Sequence, residues 1–81
     1  MKFTVDALES VDSALATIYN EAMDSQAITD AADWIERELK NNPLSKVTAV
    51  DNLYFIRRDP LVALCEIHVA EIVEIHRVDE T

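Results

Sequence analysis

The residues with chemical potential gather late in the chain. Glu66-Ile67-His68 and Glu74-Ile75-His76 repeat one three-residue pattern. Two imidazoles and two carboxylates on neighbouring strands are donor types that hold metals or move protons. Their spacing matches no compact ligand motif, so the pattern reads as a half-solvated strand surface on which Glu and His pair. It assigns no metal and no cofactor. Cys65, the lone cysteine, closes the apolar run Leu61 to Cys65, where thiols are usually inert core residues rather than nucleophiles. Arg57, Arg58 and Arg77 are the bases of this region. Adjacent strand residues point to opposite faces, so at most one of Arg57 and Arg58 joins Arg77 on a common side. Any surface that touches an anion belongs here.

The elements that position these groups are short runs rich in Val, Ile, Leu, Tyr and Phe. From Leu53 to Val78 they read as three consecutive antiparallel strands, punctuated by Asp59-Pro60 and by Val69-Ala70-Glu71. Pairing the last two strands around Ala70 sets Ala63, Cys65 and Ile67 beside Val73 and Ile75 on an apolar face. The opposite face then carries Val62, Leu64, Glu66, His68, Ile72, Glu74, His76 and Val78. A slip of one residue would exchange the two faces.

The preceding residues supply the cover for the apolar face. Lys2 to Val5 suits a short first strand, and Asp6 with Glu9 has the spacing of a capping box. Leu8, Val11, Leu15, Ile18 and Ala22 form one helical stripe. Asp24-Ser25 offers a cap for a second, with Ile28, Ala32, Ile35 and Leu39 as its stripe and Trp34 flanking it. Asp33 with Arg37 and Glu36 with Lys40 have the spacing of exposed helix pairs. Asn41-Asn42-Pro43 ends the second helix. Val47 to Val50 fits either a strand or a loop. The chain contains no glycine, so Asp51, Asn52 and Asp59 must serve its turns. The expectation is one α+β domain over residues 1–81. It has an N-terminal strand, a two-helix hairpin and a three-stranded antiparallel sheet, in all a sheet of about four strands covered on one face.

Composition narrows the function classes. The sequence is 49% hydrophobic and carries sixteen acids against seven bases, a formal net charge of −9. Phosphate backbones are bound by Lys and Arg that displace counterions, and this chain has few, which argues against direct nucleic-acid binding. Residues 6–42 hold nine acids and two bases, whereas residues 53–78 hold four and three. Met-Lys-Phe-Thr-Val-Asp has no apolar core for a signal peptide, and no apolar run approaches the roughly 20 residues of a membrane helix. With one cysteine, a cytoplasmic protein away from membranes is expected.

The order of elements and the local residues together resemble the RelE/ParE superfamily of toxins from type II toxin–antitoxin systems. The similarity lies in Ala16-Thr17-Ile18-Tyr19-Asn20-Glu21-Ala22, in residues 25–39 around Trp34-Ile35-Glu36-Arg37, and in Asp59-Pro60-Leu61-Val62. Glu66-Ile67 and Val73-Glu74-Ile75-His76-Arg77-Val78 complete it. The resemblance implies a toxin-like component held by a cognate antitoxin, with the ribosome or DNA gyrase as target. For a ribosome-dependent mRNA endoribonuclease it implies Arg57 or Arg58 with Arg77 as charge-stabilising groups and His76 as the proton-transfer group.

Two departures bear on activity. Where members commonly carry an arginine and a tyrosine in the third strand, this chain has Val62 and Cys65. Past the last strand it brings Asp79-Glu80-Thr81 instead of bases. Weakened or lost catalysis is therefore expected. The alternatives are a non-catalytic interaction module of the same fold and a gyrase-inhibiting toxin, with a homodimer as rival to the antitoxin complex.

Overall fold

The computed structural model describes residues 3–41, 47–51, 53–68 and 71–81. The expected contributions of Lys2, Asn42, Pro43, Asn52, Val69 and Ala70 lie outside those residues. The elements run β1 (Thr4–Ala7), α1 (Glu9–Glu21), α2 (Ser25–Asn41), β2 (Val47–Val50), β3 (Leu53–Arg58), β4 (Leu61–His68) and β5 (Ile72–Glu80). Both helices cover one face of a five-stranded sheet ordered β1-β5-β4-β3-β2. Strands β2 to β5 pair antiparallel, so Val47–Val50 is a strand and the meander is one strand longer than expected. Strand β1 adds to the other side, parallel to β5.

The core follows the two periodicities of the sequence. In α2 the buried residues are Ile28, Ala31, Ile35 and Leu39, and in β4 they are Leu61, Ala63 and Cys65. Ile56 of β3 and Val73 of β5 are fully buried beside them. Ala31, rather than Ala32, faces the sheet most directly, while Ala32 is half-buried. In α1 only Val11 is fully buried, and Leu15, Ile18 and Ala22 pack against the core from its margin.

The two helix starts differ. Asp24 accepts a hydrogen bond at 3.2 Å from the backbone N–H of Ala27, as its position before α2 predicts. The capping box at Asp6 does not form: α1 begins later, with Leu8 at the cap and no side-chain hydrogen bond. Asp6 is instead spent in β1, where it pairs with Glu74. The Leu8 N–H continues that ladder, donating to the Ile75 carbonyl at 3.2 Å. Among the predicted turn residues Asp51 takes positive φ (56°), and Glu71 (φ 64°) is an unpredicted second.

Candidate functional site

The face of the sheet away from the helices is set by one irregularity. Strands β4 and β5 pair in register from His68↔Ile72 to Cys65↔Ile75, then resume at Leu64↔Arg77 and Ala63↔Val78. His76 is the extra residue of a β-bulge. Without the bulge Arg77 would point under the helices and Val78 away from them. With it Val78 turns inward and is buried, which corrects its placement on the open face. His76 and Arg77 then stand on the open face together.

The arginines divide as the strand geometry requires. Arg57 pairs with half-buried Val62, and Arg58 with fully buried Leu61. Arg57 therefore shares the open face with Arg77. Arg58 belongs to the helical side, its guanidinium carbon 5.2 Å from the Trp34 ring centroid. Neither open-face arginine is free. Arg57 Nε donates to Asp59 Oδ1 at 2.8 Å, and Arg77 Nε stands 2.7 Å from Asp79 Oδ2. The hydrogen bond from Arg57, helped by the guanidinium charge and opposed by partial desolvation, holds the Asp59 carboxyl below its usual value.

His76 sits between two carboxylates. Its Nε2 is 3.0 Å from Glu74 Oε1 and 3.3 Å from Glu66 Oε2, and His68 Nε2 is 3.7 Å from that same Glu66 oxygen. The repeated Glu-Ile-His pattern thus converges across the β4–β5 pair. Cys65 lies on the opposite face, fully buried, its thiol 3.5 Å from the Tyr54 carbonyl oxygen. Burial pushes that thiol up to about 11, which keeps it protonated and unreactive at neutral pH. Phe55, Val62, Leu64 and Ile72 complete the open face as an exposed to half-buried apolar strip.

Known proteins agree with this architecture at the level of the fold. No protein-family model and no curated protein matches the sequence. Among solved structures, the crystal structure of the toxin–antitoxin complex RelBE2 from Mycobacterium tuberculosis superposes with a TM-score of 0.82 at 17% identity. The match covers 100% of this chain and 93% of that one. The chain has a RelE-like α+β fold. That fold accounts for the helical hairpin ahead of the antiparallel meander. No helix among the described residues is long and apolar enough to cross a membrane.

Proposed function

We propose that this protein is the toxin-like member of a type II toxin–antitoxin pair, a cytoplasmic protein bound by a cognate antitoxin, with RNA cleavage weakened or lost. The full-length superposition on the fold of a toxin–antitoxin complex carries this reading. The chemistry of the open face supports the second half of it. An endoribonuclease needs uncompensated positive groups where phosphate charge builds, and Arg57 and Arg77 each have a carboxylate at hydrogen-bond distance, 2.8 and 2.7 Å away. On this reading Arg57, Arg77 and His76 are the groups any residual cleavage would use. Arg58, over Trp34, would act only through the sheet's shape.

The test is induced expression of the chain alone and with the protein encoded beside it. A stable complex of the two on co-purification is the expected result, with growth arrest slight or absent and relieved by the neighbour where it occurs. No arrest and no complex would overturn the assignment.

A second reading keeps the fold but not the chemistry, as a protein-interaction module or a gyrase inhibitor. The apolar strip of Phe55, Val62, Leu64 and Ile72 favours it, because exposed apolar strips on sheets are usually covered by protein. Growth arrest with intact message directs attention to gyrase, and a concentration-dependent mass in light scattering to a homodimer.

A further inference from the structure

We infer that Glu66, Glu74 and His76 form a binding site for a divalent transition-metal ion of the zinc type. The inference is independent of the toxin reading. Glu66 and Glu74 are direct cross-strand partners, an arrangement of like charges that ordinarily destabilises a sheet. Asp6 extends the row onto β1 as the partner of Glu74. Among the described residues, no Lys or Arg stands within ion-pair distance of Glu66 or Glu74, whose basic neighbours are the imidazoles of His68 and His76. The chain as a whole carries a net charge of −9, so no surplus of bases offsets this acidic row. A divalent cation compensates it.

The geometry around His76 points the same way. Its side chain is 32% exposed, but Nε2 itself is shielded and makes no well-directed hydrogen bond, although carboxylate oxygens stand 3.0 and 3.3 Å away. The distances suit hydrogen bonds and the directions do not. Around a shared ion this is expected, because each donor aims at the metal and not at its fellow ligands. Ligands about 2.0–2.1 Å from a tetrahedral ion stand about 3.3 Å apart. The three donor atoms lie within 4.8 Å of one another, so small rotamer adjustments close the set. Strand alternation sets His76 on the face of Glu66 and Glu74, and the bulge beside it leaves Arg77 paired with Asp79.

Two carboxylates and one imidazole are borderline-hard donors, suited to Zn²⁺ above Cu⁺ and to imidazole-accepting ions above Mg²⁺ or Ca²⁺. Three protein ligands leave a fourth position open to water, to an anionic group or to His68.

The probe is Zn²⁺ added at about pH 7.5 to the full chain stripped with chelator, read by calorimetry, since deprotonated ligands are needed for binding. Co²⁺ is titrated in parallel for its visible spectrum. One ion per chain is expected, with intense tetrahedral Co²⁺ bands that Zn²⁺ bleaches and a higher melting temperature with Zn²⁺. His76→Gln and Glu74→Gln should each weaken binding by more than the roughly 10- to 100-fold typical of losing an outer-shell partner. Glu80→Gln removes the same charge from the end of the same strand and should leave affinity within about two-fold of wild type, because it touches no ligand. Circular dichroism without metal confirms that each variant folds. Should a ligand variant fail to fold, the wild-type Co²⁺ spectrum still decides: a pale octahedral spectrum unaffected by Zn²⁺ overturns the site. Equal losses in Glu80→Gln and His76→Gln also overturn it, since they would mean diffuse attraction to an acidic surface.

Discussion

Arg58 holds its guanidinium carbon 5.2 Å from the centre of the Trp34 ring. The contact joins the end of β3 to the margin of α2, so the most aromatic residue of the helical layer reports on a sheet residue. Cation–π pairs at such partly solvated sites contribute about 0.5–1 kcal/mol. A double-mutant cycle of Arg58→Ala and Trp34→Leu should return a coupling of about that size. Arg58→Ala alone should also shift the fluorescence of Trp34, the single tryptophan. Strict additivity with unchanged emission would show that the two side chains do not interact in solution.

Ile35 and Arg37 test the helical face. Ile35 is 4% exposed and belongs to the core, whereas Arg37 is on the solvent side. Ile35→Asp buries a carboxylate without a partner, which costs several kcal/mol and should unfold or severely destabilise a domain this small. Arg37→Asp should stay within about 0.5 kcal/mol of wild type. The check is urea unfolding followed by circular dichroism. Equal midpoints would contradict the packing of α2 on the sheet.

Cys65 gives the fold an alkaline limit. Its thiol is raised from 9.0 to about 11 by burial. The folded state therefore holds the proton more tightly than the unfolded chain. The resulting stability is complete below the unfolded value of 9.0 and is lost as pH rises through about 11. A thiol held that far above its unfolded value contributes on the order of 2–3 kcal/mol. Urea midpoints measured from about pH 8 to pH 11 should fall for wild type. They should fall less for Cys65→Ala, which starts lower because it leaves a small cavity. The native thiol should also resist alkylation at about pH 8 until denaturant is added. Rapid modification of the folded protein would show that Cys65 is not shielded as described.

How legible this arrangement is from sequence depends on whether a residue's fate is local. The α2 stripe of Ile28, Ile35 and Leu39 and the alternation of Ala63, Cys65 and Ile67 are set by side-chain periodicity, and both carry through to the fold. The opposed faces of Arg57 and Arg58 follow from the same alternation. Other features are decided by partners distant in the chain. Asp6 has the spacing of a cap, but β5 offers its segment a parallel ladder, and the strand wins. The bulge at His76 leaves only a faint local mark: Ile75-His76-Arg77-Val78 reads apolar-polar-polar-apolar, a break in the alternation of a regular strand. Only the demand that both Ile75 and Val78 face the helices, three residues apart, forces an extra residue between them. That single insertion moves Arg77 to the open face and buries Val78. The Glu66, Glu74 and His76 constellation does not depend on it: regular alternation already sets the three on one face, and what the linear spacing lacks is a compact ligand motif. Glu71 at positive φ is a further case, since glutamate gives no local signal for that conformation.

Cleavage of ribosome-bound mRNA by the isolated protein should be weak or absent. Attack of a ribose hydroxyl on phosphate builds negative charge, and losing one preorganised donor typically costs about 100- to 1000-fold in rate. Here Val62 occupies the centre of the open face, flanked across the strands by Arg57 and Asp79. Each open-face arginine is held by an acid, Arg57 by Asp59 and Arg77 by Asp79. The net charge of −9 opposes docking on RNA before any chemistry begins. Primer extension on translated message should therefore show cleavage at least about 100-fold below that of a cleaving toxin of the same fold used as a control. Any residual cleavage should vanish in Arg57→Ala, Arg77→Ala or His76→Gln and persist in Arg58→Ala. The double variant Asp59→Asn with Asp79→Asn releases both guanidinium groups. It should bind RNA more tightly, with a steeper dependence on salt, since two more cations then displace counterions. Robust codon-site cleavage by the wild-type protein would show that the acids do not restrain the arginines. An unchanged salt slope in the double variant would show that the open face does not meet RNA at all.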